Sequence, residues 1–327
     1  MYRCILLPID GSPPSEHAGE VGLALARRLG ASVALIHVIE PQRYRELRDY
    51  QGALERARTV GRALLEQWDR KAQGLNVSCT AQLTRTEPES RPGVAEALVD
   101  AGVASGCDLV VMGTHGRTGL PRVLLGSVAE RMTRLAPTPL LLVRGADEKP
   151  TLFKHILVAI DGSAYSDLAL QHADELAGAL EARLSVVYVV PDLTQLYSSS
   201  STGRAWMLTD PQQLHAQLAG GQQRLREQGE FILQEAIQRC KHCQQAHTVL
   251  REAGRYLIGE RICEVAEQEK AELIVLGTHG RTGLRKFLLG SVAEDVAQQG
   301  RQPILLVRNP AALTRPDETH LPPPGEH

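Results

Sequence analysis

The chain has 327 residues, 43% apolar and 23% charged, with a formal net charge of −2. That length accommodates two ordinary domains of a globular protein. The balance of charge leaves no basic footprint for nucleic acid, no run approaches the roughly 18 apolar residues of a membrane span, and six scattered cysteines do not make a disulfide framework.

The opening residues lead straight into an apolar run, too short and wrongly flanked for a signal peptide, so the expectation is a cytoplasmic protein. Residues 3–9 are apolar almost without interruption and stop at Asp10-Gly11-Ser12, which fits a parallel strand buried on both faces. Ser12 before Pro13 is a helix start, with Ala18, Val21, Ala24, Leu25 and Leu29 at helical spacing and Gly30 closing the helix. Residues 32–39 form a second strand. A second helix carries Ala53, Ala57, Val60, Leu64 and Trp68 on one stripe. A third strand lies around Val77–Leu83, and a third helix is marked by Val94, Ala97, Leu98 and Ala101. Leu109–Met112 is the fourth strand, a helix follows from Ser127, and Pro139–Val143 supplies the fifth strand. Strands alternating with helices imply βαβ crossovers and a parallel sheet.

The second half replays this order. Residues 113–130 and 277–294 are identical at 15 of 18 positions, and Ile156–Ile160 ends at Asp161-Gly162-Ser163 as the first strand ends at Asp10. The offset between copies is 151 at the aspartates and 164 at the glycine loops, so 13 extra residues lie between those points in copy two. They are placed in Asp192–Gln223, read as a loop leading into a long helix over residues 222–241. The expected domains are 1–145 and 153–309, joined by a linker at 146–152 and followed by a disordered tail at 310–327. The fold class is α/β: two tandem doubly wound domains, each a five-stranded parallel sheet of order 3-2-1-4-5 between helices.

In such a sheet ligands bind beyond the carboxyl ends of the strands, where strand order reverses. Asp10 and Gly113 both fall there, as do Asp161 and Gly277. Gly113 and Gly116 are expected to turn the backbone and present its N–H groups, and Gly126 with Ser127 to open a helix whose dipole favours an anion. Ser127 and Glu130 have the spacing of a capping box. Gly277, Gly280, Gly290 and Ser291 repeat the arrangement. Tight-loop glycines and a capping serine are the alternative reading, but the paired aspartates and the strand–loop–helix context favour a nucleotide. A P-loop and a dinucleotide fingerprint are absent from both loops.

Gly-x2-Gly-x9-Gly-Ser after a fourth strand, with Asp at the end of the first, resembles the universal stress protein family over nearly all of residues 1–310, as two copies. The resemblance implies ATP, with Mg2+ as an allowed companion, held by the glycine loops and serines. It also implies that Met112, Val128, Leu276 and Val292 line the sites and that Asp10 and Asp161 lie by ribose and adenine. Val38 and Val189 would offer backbone contacts to the base, and Pro8 in copy one becomes Ala159 in copy two. It further implies pairing of fifth strands, here Leu140–Val143 with Ile304–Val307 inside one chain, with a homodimer also open.

His115 and His279 lack an assigned nucleophile or partner carboxylate, so loop hydrogen bonding is expected of them and no catalytic residue is named. Arg117, Arg122, Arg281, Arg285 and Lys286 fit phosphate neutralisation or an exposed basic edge equally. Cys240 and Cys243, with His247 nearby, have metal-like spacing but no counterpart in copy one, and no metal site is assigned. Trp68 and Trp206 are expected to pack. The sequence thus reads as an ATP-binding, nucleotide-dependent stress regulator with a regulatory protein partner and slow hydrolysis at most. The alternatives are an ATP-hydrolysing enzyme using Asp10 or His115, and an interaction module without nucleotide.

Overall fold

The computed structural model describes residues 1–86, 93–114, 125–144, 152–193, 211–254, 257–280 and 289–308, with side chains in the long helix from residue 216 onward. Residues 146–151 of the expected linker, the tail, His115, Gly116, Trp206 and the loop cations of both copies lie outside the described residues. Copy one consists of β1 (Cys4–Pro8), α1 (Pro13–Leu29), β2 (Ser32–Ile39), α2 (Tyr50–Gly74), β3 (Cys79–Arg85), α3 (Val94–Ala104), β4 (Leu109–Gly113), α4 (Ser127–Leu135) and β5 (Leu140–Val143), with a 3-10 turn at Pro41–Tyr44. Copy two consists of β6 (His155–Ala159), α5 (Ala164–Leu180), β7 (Arg183–Val190), α6 (Pro211–Arg239), β8 (Ala246–Glu252), α7 (Ile258–Gln268), β9 (Leu273–Gly277), α8 (Ser291–Gln299) and β10 (Ile304–Val307).

The ten strands form one sheet in the order β3-β2-β1-β4-β5-β10-β9-β6-β7-β8. Each half has the 3-2-1-4-5 order with parallel neighbours, and the halves meet where β5 and β10 pair antiparallel, Leu141 opposite Leu305. The strands are apolar on both faces because helices cover both. On one face α1, α2, α5 and α6 bury Leu25, Trp68, Leu176 and Leu233; on the other α3, α4, α7 and α8 bury Leu98, Met132, Val265 and Val296. Each core runs unbroken through the seam, since Leu141 and Leu305 belong to the first cluster and Leu142 and Ile304 to the second.

Ser12 caps α1, accepting the N–H of Ser15, and Gly30 ends it in the left-handed region at φ 65. Two expectations need correction. In α2 the buried residues are Ala53, Leu54, Gly61, Leu65, Trp68 and Ala72, and Val60 is exposed. Two helical tracks pass through Trp68, and the inner one runs through Gly61, where a Cβ would come within 2.8 Å of both His37 and Leu83. Further on, α6 starts at Pro211 rather than 222, inside the stretch expected to be loop. Proline suits a first helical turn, and Gly221 lies close to Leu193, so glycine there serves packing.

The seam is also tied by side chains. Arg144, just after β5, donates to the Ala297 carbonyl in the last turn of α8. Arg308, just after β10, donates to the carbonyls of Arg134 at 2.7 Å and Thr133 at 2.5 Å in the last turn of α4.

Candidate functional site

Each half-sheet changes winding direction between its first and fourth strands, and the aspartates stand at that point. In copy one Asp10 follows β1, and its Oδ1 accepts the N–H of Ser12 at 2.9 Å and the Ser12 hydroxyl at 2.6 Å. The Asp10 N–H donates to Ser15 Oγ, which in turn donates to the Pro8 carbonyl at 3.3 Å. In copy two Asp161 Oδ1 accepts the Ser163 N–H at 3.0 Å. Each carboxylate is therefore oriented by the start of the following helix.

Gly113 and Gly277 close β4 and β9, and neither has a positive φ. A Cβ on Gly113 would approach the Pro14 carbonyl oxygen to 2.7 Å, and one on Gly277 would approach that of Tyr165 to 2.8 Å. These glycines let the first turn of α1 or α5 cross directly over the strand end. That corrects the expectation that Gly113 serves a sharp turn.

Ser127 and Ser291 are likewise one position off. The N-caps are Gly126 (φ −63, ψ 151) and Gly290 (φ −64, ψ 147), and neither helix has a side-chain cap. Ser127 and Ser291 are first helical residues, both exposed, so the capping box proposed for Ser127 and Glu130 is not formed. Instead Glu130 Oε1 accepts from Arg134 at 2.7 Å.

Two threonines that the sequence reading passed over hold the loop ends. Thr114 donates its N–H to Val143 and accepts from Gly126 at 2.8 Å; Thr278 does the same with Val307 and Gly290, also at 2.8 Å. Both are buried. Each threonine thus fixes a helix N-terminus to the end of the neighbouring strand. Their signal was the invariance of Gly-Thr-His-Gly between the two copies.

In copy two Gly280 lies against Asp161: a Cβ there would be 2.7 Å from Asp161 Oδ2. His279 Nδ1 lies 3.1 Å from Thr278 Oγ1, and its ring is 5.2 Å from that of Tyr165. The Gly280, Asp161, Thr278 and Gly290 positions therefore line one crevice. The copy-one equivalent of Gly280 is Gly116, outside the described residues.

The remaining expected residues fall at the same end of the sheet in different ways. Met112, Ala159, Val189 and Leu276 are buried in the core, so only their backbone can face a ligand, whereas Pro8, Val38, Val128 and Val292 are half-buried. Beyond β7 and β8, a cleft of about 220 Å3 is lined by Asp192, Leu193, Leu218, Ala219, Gln222, Glu252 and Gly254, which places part of α6 at this end of the molecule.

The Cys240–Cys243 turn is built around a carboxylate. The buried Asp174 of α5 accepts the N–H groups of Lys241 and Cys243 at 2.8 Å, that of His242 at 3.1 Å, and His242 Nδ1 at 2.8 Å. The two thiols turn to different carbonyls, Cys240 to Ala236 and Cys243 to Ala182. His247 sits elsewhere, between Ser185 and Glu269.

A carboxylate acceptor on one wall and a helix N-terminus without a side-chain cap on the other suit a ligand with hydroxyls at one end and an anion at the other. The molecule is thus a doubly wound α/β protein with two equivalent switch-point crevices in one continuous sheet. Residues 1–144 and 152–308 each match the model of the universal stress protein family, and the chain belongs to that family. A universal stress protein of Mycolicibacterium smegmatis is 29% identical over 310 residues, covering 93% of this chain and 96% of that one. A universal stress protein of Methanocaldococcus jannaschii is 34% identical over 164 residues, 49% of this chain and 84% of that protein. In fold, the crystal structure of a universal stress protein from Archaeoglobus fulgidus aligns with a TM-score of 0.64 at 19% identity, covering 93% of this chain and 98% of that chain. No helix among the described residues is long and apolar enough to cross a membrane.

Proposed function

We propose that this chain is a cytoplasmic, nucleotide-dependent stress-response regulator that binds ATP, with or without Mg2+, in both crevices. The observation that carries this reading is the contact between Gly280 and Asp161, where a Cβ would fill the space beside Oδ2. Only glycine leaves the acidic wall open next to the N-terminus of α8, and that combination fits a ribose beside a phosphate. Asp161 would accept ribose hydroxyls, while the N–H groups following Gly290, with the Ser291 hydroxyl, would hold phosphate oxygens. Asp10, Gly126 and Ser127 would do the same in copy one. In this reading the bound nucleotide serves as a signal rather than a fuel. It acts by binding one conformation, or one partner-bound state, more tightly than another.

The test is to denature freshly purified protein, then identify and count the nucleotide released, in wild type and in Gly126→Val and Gly290→Val. Two ATP per chain, lost one site at a time, is the expected result. Turnover near ~10 s⁻¹, an ordinary enzyme rate, would replace the regulator with an enzyme. Absence of nucleotide, with none taken up from added ATP, would leave an interaction module.

A further inference from the structure

At the opposite end of the sheet from the crevices, the first residue of β1 and the residue two before β4 bring two thiols together. Cys4 Sγ and Cys107 Sγ are 2.6 Å apart across a sequence separation of 103 residues. A disulfide bond is about 2.05 Å long. The backbone on both sides is already fixed. The Asp108 N–H donates to the Cys4 carbonyl at 2.9 Å, and Asp108 Oδ1 accepts the N–H groups of Arg3 and Cys4, both at 3.0 Å.

We propose that Cys4 and Cys107 are an oxidative modification site, closing to an intramolecular disulfide when the protein meets a hydroperoxide. Cys4 is half-buried and reachable, whereas Cys107 is buried. Cys4, the accessible thiol, attacks first; burial, with the adjoining Cys4 thiol and Asp108, pushes the Cys107 thiol up. Cys4 gives up its proton and attacks the terminal peroxide oxygen, the O–O bond breaks, and the released proton goes to the leaving oxygen, so that sulfenic acid and water (or the alcohol) form. The Cys107 sulfur then displaces hydroxide from Cys4, and its proton leaves with the hydroxide as water. Two thiols are oxidised and one peroxide is reduced.

The site belongs to copy one alone, because His155 and Ala271 stand at the equivalent positions of copy two. The Cys240–Cys243 pair is closer in sequence, but its thiols face separate carbonyls. The inference does not depend on nucleotide binding.

The full chain, reduced and then exposed to hydrogen peroxide, is digested without reductant and mapped by mass spectrometry, with free thiols alkylated. The expected result is loss of two of the six alkylatable thiols and one cross-linked peptide pair joining Cys4 to Cys107. The bridge should persist in the Cys240→Ser/Cys243→Ser double variant and be absent from Cys4→Ser. The wild-type map decides the matter even if a serine variant folds poorly. Retention of all thiols, a bridge between other cysteines, or a sulfinic Cys4 beside an alkylatable Cys107 would overturn the proposal.

Discussion

Arg144 and Arg308 occupy equivalent places in the two halves, and each caps a helix belonging to the other half. Each guanidinium answers the negative end of a helix whose positive end lies at the other half's crevice. Burial lowers the pKa of both, a sign that they have given up water for these carbonyls. Arg308→Ala should leave the Thr133 and Arg134 carbonyls short of a donor and cost about 1.5–3 kcal/mol, read from the urea midpoint. Arg308→Lys should recover less than half of that, because an ammonium cannot fork to two carbonyls as a planar guanidinium does. Full recovery would mean that charge alone matters here.

Asp174 gives a second, pH-dependent expectation. Burial by itself raises its pKa, but the N–H groups of Lys241 and Cys243, then the His242 side chain and N–H, outweigh it and hold the carboxyl below the ordinary 3.8. A depressed folded pKa contributes stability that is fully present above the unfolded value and is lost as pH falls through the folded one. Asp174→Asn should therefore cost about 1–3 kcal/mol near neutrality. The gap from wild type should narrow only below about 3.8. Unfolding curves from neutral to acid pH measure it, and a gap that widens in acid would contradict the assignment.

The crevice glycines should separate stability from binding. Gly113→Ala places a methyl group against backbone at Pro14 and should destabilise by about 1–3 kcal/mol, whatever the ligand. Gly280→Ala meets, among the described residues, the Asp161 carboxylate, the end of a side chain rather than backbone. It should leave the unfolding midpoint nearly unchanged and halve the nucleotide recovered per chain. Equal losses of stability in the two variants would argue that Gly280 is structural.

Gly19 of α1 tests the packing of α2. A Cβ there would come within 2.4 Å of Trp68 Cη2 and 2.9 Å of Ile9 Cδ1. Overpacking a site bounded by a large fixed ring costs about 1–3 kcal/mol, so Gly19→Ala should lower the thermal midpoint. An unchanged midpoint would show that the indole can move.

The strands were readable because burial on both faces removes polar residues, leaving runs such as Leu109–Met112 bounded by punctuation. The strand order came with the doubly wound fold class, and it brought Asp161 to the glycine loop. Less visible was what depends on the partner surface. Gly61 adds nothing to a hydrophobic pattern yet sets the face of α2, because His37 and Leu83 leave no room for more. Ser127 carries the residue type of a cap but starts the helix itself, since Gly126 is already tied to Thr114. Pro211 and Gly220-Gly221, which carry the marks of loop punctuation, concealed a helix that runs through all three.

The antiparallel junction of β5 and β10 has a further meaning for a chain that carries both. Two separate copies of a single repeat would associate only above some concentration, and any alteration would appear at both sites at once. Covalent tethering makes the encounter intramolecular, so dilution does not part the halves. It also releases them from having to be the same. Pro8 can become Ala159, Cys4 can become His155, and α6 can lengthen on one side only, while the pair stays whole. One half is free to drift in sequence and chemistry while the other keeps its setting.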